Sequence, residues 1–272
     1  MKLHNKKATF LTFDIFDSLP FIRHCFSTRV GGVSSGVFSS LNLGVKKGDT
    51  DENVLENYKI LSGAVGFDHE NIVFSNQVHD TKIKYVTEKD RGKGLIYPND
   101  IKDIDGLITD RPNIVLTTFY ADCVPLFFVE PKKKVIALSH SGWKGTVNKI
   151  ALKTIDILVN DFNSNKNDIL VGVGPSICKN CFEVDEPVYN EFANSFPYIS
   201  DYVSIVPKGE INKYHIDMWN INKKMMVDAG IPESNIEITD YCTKCKGDLF
   251  YSHRNMGNER GSLAAFMELV ES

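Results

Sequence analysis

Cys123 and His140 are the pair in this chain best placed to do chemistry. Between them, the apolar runs Val124–Val129 and Val135–Leu138 flank the turn-like Glu130-Pro131-Lys132-Lys133-Lys134. That pattern predicts a strand, a turn and a second strand. Antiparallel pairing around the turn brings the thiol that enters the first strand to the imidazole that leaves the second. Such a pair is either a nucleophile with its base or two ligands of a metal. His79, at the turn between the strand-like runs Ile72–Gln77 and Ile83–Val86, offers a third donor. One Cys and two His suit a catalytic zinc, which takes three protein ligands and keeps one position for water, whose pKa it lowers to about 7. Asp122 would then serve as a general acid/base or orient a ligand. A core cysteine with two surface histidines would give the same spacing.

Four other segments carry chemical potential. Arg29-Val30-Gly31-Gly32-Val33-Ser34 couples a cation to flexible backbone N–H groups, which suits phosphate or merely a glycine-rich connector. Cys178-Lys179-Asn180-Cys181 and Cys242-Thr243-Lys244-Cys245 are two C-x-x-C pairs. Together they would make a four-cysteine structural metal site, and separately they are free thiols. Phe250-Tyr251-Ser252-His253-Arg254 sets two aromatic residues beside a His and an Arg, suited to stacking and anion contacts. Gly172-Val173-Gly174-Pro175 follows a strand but lacks the rest of a dinucleotide fingerprint, so a Rossmann assignment is rejected.

The elements that must position these residues are readable in outline. Strands are predicted over Phe10–Ile15, Ile22–Ser27, Ile72–Gln77, Ile83–Val86, Asp105–Thr109, Ile114–Phe119, Ile169–Val173 and Ile236–Asp240, with a strand or short helix at Leu263–Leu269. Helices are predicted at Asp49–Val65 (capped by Asp49 or Thr50 and stopped by Gly66), Thr146–Asn160, Glu186–Phe196 and Ile216–Ala229. No repeat or linker interrupts the 272 residues. One α+β domain, 1–272, of mixed β-sheets flanked by outer helices is the expected architecture.

Composition narrows the function. A net charge of −4, with Lys and Arg spread along the chain, points away from a nucleic-acid surface. No apolar run approaches the roughly 20 residues of a membrane span. The N-terminus lacks a signal-like apolar stretch, so a cytoplasmic protein is expected. In that compartment the six cysteines are expected to be free or metal-bound.

Eight segments in order resemble one known family. They are Arg29–Ser34, Ser40-Leu41-Asn42-Leu43-Gly44, Asn76-Gln77-Val78-His79, Asp105–Thr109, Ala121-Asp122-Cys123-Val124-Pro125, His140-Ser141-Gly142-Trp143-Lys144-Gly145, Gly174-Pro175-Ser176-Ile177 and Phe250–Arg254. The family was once described as multicopper polyphenol oxidases or laccases and is now regarded as zinc-dependent purine nucleoside enzymes related to the YlmD and YfiH proteins. The resemblance implies one zinc ion on His79, Cys123 and His140. It also implies phosphorolysis of adenosine, inosine, guanosine and methylthioadenosine to base and ribose 1-phosphate, with adenosine deamination at the same site; Asp122 is the candidate proton carrier for that deamination. Copper fits less well, since seven histidines spread along the chain are a poor supply for several copper clusters. Arg29 and Asn42 are the candidate phosphate or substrate contacts, and the protein is expected to be a monomer or homodimer. Two positions depart from the family: Lys144 stands where Arg is frequent, and Ser252-His253-Arg254-Asn255 where S-Y-R-R is frequent. A metal-free hydrolase or deamidase with Cys123 as nucleophile and His140 as base is the alternative, alongside a role in cell-wall precursor quality control.

Overall fold

The computed structural model describes residues 1–271. The strands are β1 (Lys2–Asn5), β2 (Thr9–Thr12), β3 (Ile22–Ser27), β4 (Ile72–Phe74), β5 (Ile83–Tyr85), β6 (Gly106–Thr109), β7 (Val115–Tyr120), β8 (Val124–Glu130), β9 (Val135–Ser141), β10 (Leu170–Val173), β11 (Glu183–Val184), β12 (Val203–Lys208), β13 (Ile211–Ile216), β14 (Ile236–Ile238) and β15 (Leu263–Leu269). The helices are α1 (Asp51–Val65), α2 (Trp143–Val147), α3 (Ile150–Phe162), α4 (Glu186–Ser195), α5 (Met218–Asp228) and α6 (His253–Met256).

Two six-stranded sheets form the centre, in orders β1-β2-β3-β15-β7-β4 and β14-β10-β8-β9-β6-β5, with a small third sheet β11-β13-β12 beside them. Both large sheets mix parallel and antiparallel pairs. The mixed α+β class expected from the sequence is therefore observed.

The period of two along the strands sorts the core. In β15, Leu263, Ala265 and Met267 point between the two sheets, where they meet Phe127, Ile136 and Leu138 of the second sheet. Ala264 and Phe266 point the other way, against Val54, Tyr58 and Leu61 of α1. On the far side of the second sheet, Val124, Leu126 and Phe128 of β8 pack on Ile150, Ile155 and Leu158 of α3 and Ile221 of α5. The order of layers is thus helix, sheet, sheet, helices. Strands β8 and β9 are buried along their whole length because both faces are covered. This explains why they read as continuous apolar runs rather than as alternating ones.

Several local expectations need correction. The first predicted strand is cut short, since Asp14–Phe16 form a tight turn after β2. The expected Thr146–Asn160 helix is two helices, α2 and α3, separated by Lys149 in the left-handed region at φ 62°. Ile216 ends β13, and α5 starts only after Asp217, whose side chain accepts the Asn220 N–H. The β12–β13 hairpin was not anticipated. Ile205, Val206 and Ile211 are exposed there, so no buried face imposes a clear alternation.

Candidate metal centre and its cavity

The β8–β9 register places Val124 opposite Ser141 and Pro125 opposite His140. Cys123 and His140 therefore reach the same end of the hairpin, as the sequence implied. His79 arrives from the loop between β4 and β5. The donor atoms of His79, Cys123 and His140 all lie within 4.8 Å of one another, and Cys123 Sγ is 3.9 Å from His79 Nε2.

Asp105, wholly buried just before β6, organises this meeting. Its Oδ1 lies 2.8 Å from His140 Nδ1, so that nitrogen carries the proton and Nε2 is left to face Cys123 and His79. The same carboxylate accepts the backbone N–H groups of Val78, His79 and Asp80 at 2.9–3.0 Å. His79 sits at φ 62°. That left-handed conformation costs a non-glycine residue about 1–2 kcal/mol. Three hydrogen bonds to a charged acceptor, each about 1.5–3 kcal/mol, outweigh it. Burial alone would raise the Asp105 carboxyl, but His140 and these N–H groups hold it below the usual carboxylate range. Sequence reasoning quoted Asp105 in a motif and missed this role. The signal available was an acid at the start of a strand adjacent to the predicted hairpin.

Electrostatics favour a thiolate. Burial raises the Cys123 thiol, yet His140 and His79 pull it down to about 6. In return, the thiolate and Asp105 lift His140 to about 9 despite its burial. Gly142 closes the floor of the group: a Cβ there would fall 2.9 Å from the His79 ring and 3.1 Å from Cys123 Sγ.

The three donors open onto a cavity of about 760 Å³, within the range of small-molecule sites. Its other lining includes Phe119, Tyr97 and four cations, Lys46, Lys47, Lys102 and Arg260. None of these cations forms an ion pair among the described residues. Arg260 Nε is buried with no hydrogen-bond partner, while its Nη1 donates to the Gly261 carbonyl.

Arg29 and Asn42, expected as phosphate or substrate contacts, do not line this cavity. The Arg29 guanidinium stacks on Tyr251 and donates to the carbonyls of Ser39 and Gly247. The N–H groups of Gly31 and Gly32 are spent on Ser40 Oγ, so no anion cradle remains. Asn42 is fully buried; its Oδ1 accepts the N–H groups of Gly44 and Ser262, and its amide donates to Asp49. It shapes the cavity wall from behind. Asp122 does not line the cavity either: Thr243 Oγ1 and the Arg254 N–H each donate to its carboxylate at 2.7 Å. Lys144 lies over Trp143 and His253 Nδ1 meets the Gly257 carbonyl, and neither lines the cavity.

Residues 23–270 match the family described as multi-copper polyphenol oxidoreductase laccase. The chain is 34% identical over 248 residues, 91% of its length and 88% of the relative's, to a protein of Bacillus subtilis named purine nucleoside phosphorylase YlmD. It is 31% identical over 238 residues, 87% of its length and 90% of the relative's, to one from an unknown prokaryotic organism named adenosine deaminase RL5. Among solved structures, the hypothetical protein YfiH of Bacillus licheniformis superposes with a TM-score of 0.90 at 32% identity, covering 98% of each chain. YlmD of Geobacillus stearothermophilus gives 0.86 at 32% identity over 94% of each. The chain therefore belongs to the YlmD/YfiH family, whose sequence description still reads multi-copper polyphenol oxidoreductase laccase.

Proposed function

We propose that the protein is a zinc-dependent purine nucleoside phosphorylase that also deaminates adenosine. The carrying observation is one cavity that joins a His79, Cys123, His140 donor set to unpaired cations. Sγ of Cys123 and one ring nitrogen each of His79 and His140 would hold the zinc. The set fits that ion: a low-pKa thiolate, two imidazoles, and a buried carboxylate fixing one tautomer. When bound, zinc supplies a Lewis acid with an open coordination position. Other histidines are engaged elsewhere, His24 with the Phe13 N–H and His215 with the Asn180 carbonyl, which argues against several copper centres.

In phosphorolysis a phosphate oxygen bonds to C1′ of the ribose as the C1′–N9 bond breaks, and the purine takes the electron pair and then a proton. Arg260, whose side chain lines the cavity without an ion-pair partner, offers its guanidinium charge to the phosphate, and Lys47 adds to it. Burial lowers the Lys47 pKa, as does Arg260 nearby, so an anion between them relieves both. Phe119 and Tyr97 present aromatic faces to the base. Thr243 and the Arg254 N–H hold the Asp122 carboxylate, which fixes the backbone before Cys123.

The test is chromatography of adenosine and phosphate with purified enzyme, reading adenine, hypoxanthine and ribose 1-phosphate. Cys123→Ala is expected to lose both the zinc and the turnover. Full adenosine phosphorolysis by metal-free protein would overturn the reading. A second reading, a metal-free Cys123–His140 hydrolase, is favoured by the thiolate–imidazolium balance. It makes His79 dispensable and requires thiol alkylation to abolish activity without metal.

A further inference from the structure

The two C-x-x-C turns are 64 residues apart in sequence, yet the fold delivers them to one place. Strands β10 and β14 are parallel neighbours, with Val171 opposite Ile236 and Val173 opposite Ile238. Cys178 and Cys181 lie in the turn after β10, and Cys242 and Cys245 in the turn after β14. Parallel neighbours send both turns off the same sheet edge, and the Ser176–Cys242 bridge carries the pairing into them.

All four sulfurs lie within 4.8 Å of one another, and none is in a disulfide. Cys181 Sγ and Cys245 Sγ are 3.4 Å apart. A tetrahedron with Zn–S arms of about 2.3 Å has edges of about 3.8 Å. The spacing thus lies close to that of a metal site before any ion is added. The backbone N–H groups of Cys178 and Cys245 point at Cys242 Sγ at 3.3 and 3.5 Å, an arrangement that stabilises a thiolate. Four thiolates around one divalent cation carry a net charge of −2. Lys179, Lys244 and Lys246 lie in or beside the two turns, and Arg254 donates to the carbonyls of Cys181 and Glu183.

We propose that Cys178, Cys181, Cys242 and Cys245 bind a second zinc ion, which is structural and staples the β10 and β14 turns together. Four protein sulfurs leave no position for water or substrate, so the ion does no chemistry itself. Its effect reaches the first centre through Asp122. The Ile177 N–H donates to the Asp122 carbonyl at 3.0 Å, and Thr243, between the second pair of cysteines, donates to its carboxylate at 2.7 Å. Asp122 is held at φ 94° directly before Cys123. The stapled turns thereby fix the corner from which Cys123 projects. This assignment stands apart from the nucleoside reading and survives if that reading fails.

The test counts metal. Wild-type protein purified under reducing conditions, loaded with zinc and desalted is expected to carry two ions per chain by native mass spectrometry and elemental analysis. Cys123→Ala and Cys181→Ser/Cys245→Ser should each carry one. Cobalt(II) loading should give thiolate charge-transfer absorption in Cys123→Ala, where only the four-cysteine group remains. Cys245→His, which keeps a donor at an exposed position, should retain both ions and covers the case in which the double serine variant does not fold. A melting temperature lowered more by the double serine change than by Cys123→Ala is the mark of a structural ion. One zinc per wild-type chain, or a Cys181–Cys245 disulfide in the reduced preparation, overturns the proposal.

Discussion

The chain gathers thiols in two places, and the two places are opposites. Around Cys123, one sulfur meets two imidazoles, a buried carboxylate sets the tautomer, and the group opens onto a cavity lined by cations. Around Cys242, four sulfurs meet one another, and the residues near them are turn backbone rather than cavity wall. A mixed donor set that leaves a position vacant suits catalysis, whereas a homogeneous closed set suits cross-linking. The difference lies in how the fold delivers the ligands. A hairpin and a loop converge on the first centre from two sides, with Asp105 between them. Two parallel strands deliver the second as a pair of similar turns.

The sharpest way to break this contrast is to remove the group that belongs to the first centre alone. Asp105→Asn keeps the shape but places an amide among the donors Val78, His79 and Asp80. It also loses the charge opposite His140. Zinc affinity or turnover is expected to fall on the order of 10–100-fold. Titration with a chelator, read by elemental analysis, should show one ion released earlier than in wild type and the four-cysteine ion unchanged. Equal weakening of both sites would mean that they are not separate.

A smaller effect tests the open side of the first centre. Arg260 and Arg29 are the same residue type beside flexible backbone, but only Arg260 lines the cavity, while Arg29 is spent on the carbonyls of Ser39 and Gly247. Loss of a charge-assisted hydrogen bond is worth about 1.5–3 kcal/mol. Arg260→Gln should therefore raise KM for phosphate on the order of 10–100-fold. Arg29→Gln, which gives up contacts to Ser39, Gly247 and Tyr251, should cost about 1–2 kcal/mol of stability and leave that KM unchanged. Steady-state kinetics and urea melts on the two variants separate the cases.

That pair also marks how far the sequence could be read. The β8–β9 hairpin was legible because buried central strands give unbroken apolar runs bounded by a turn. Cys123 and His140 followed from it, since antiparallel pairing fixes which ends meet. The layered order of helices and sheets was less legible, because nothing local says that β15 slots between β3 and β7. The Arg29 loop misled because a sequence lists donors without saying which are already used: Ser40 Oγ consumes two of them. Arg260 went unnoticed for the converse reason. Its value lies in the partner it lacks, and a missing partner is visible only in three dimensions. The C-x-x-C pairs offered a joint site in the sequence, and the parallel pairing of β10 and β14 is what brings them level.

The mildest perturbation asks how Cys123 behaves in chelated protein. In chelated protein Cys123 is pulled to about 6 by His140 and His79, below the ordinary thiol range. A depressed thiol is protonated below that value and is a thiolate above it. Its alkylation rate should therefore rise about tenfold from pH 5 to 7 and then level off, as thiolate fraction dictates. An ordinary thiol would gain about a hundredfold over the same interval and keep rising beyond it. Cys25, wholly buried and pushed upward by that burial, should stay unreactive in the folded protein. Restoring zinc should suppress the Cys123 reaction, because the sulfur is then a ligand. Peptide mapping of the alkylated cysteine across pH reads all three outcomes. A Cys123 profile that climbs like an ordinary thiol's would mean that His140 and His79 do not hold a thiolate at the first centre.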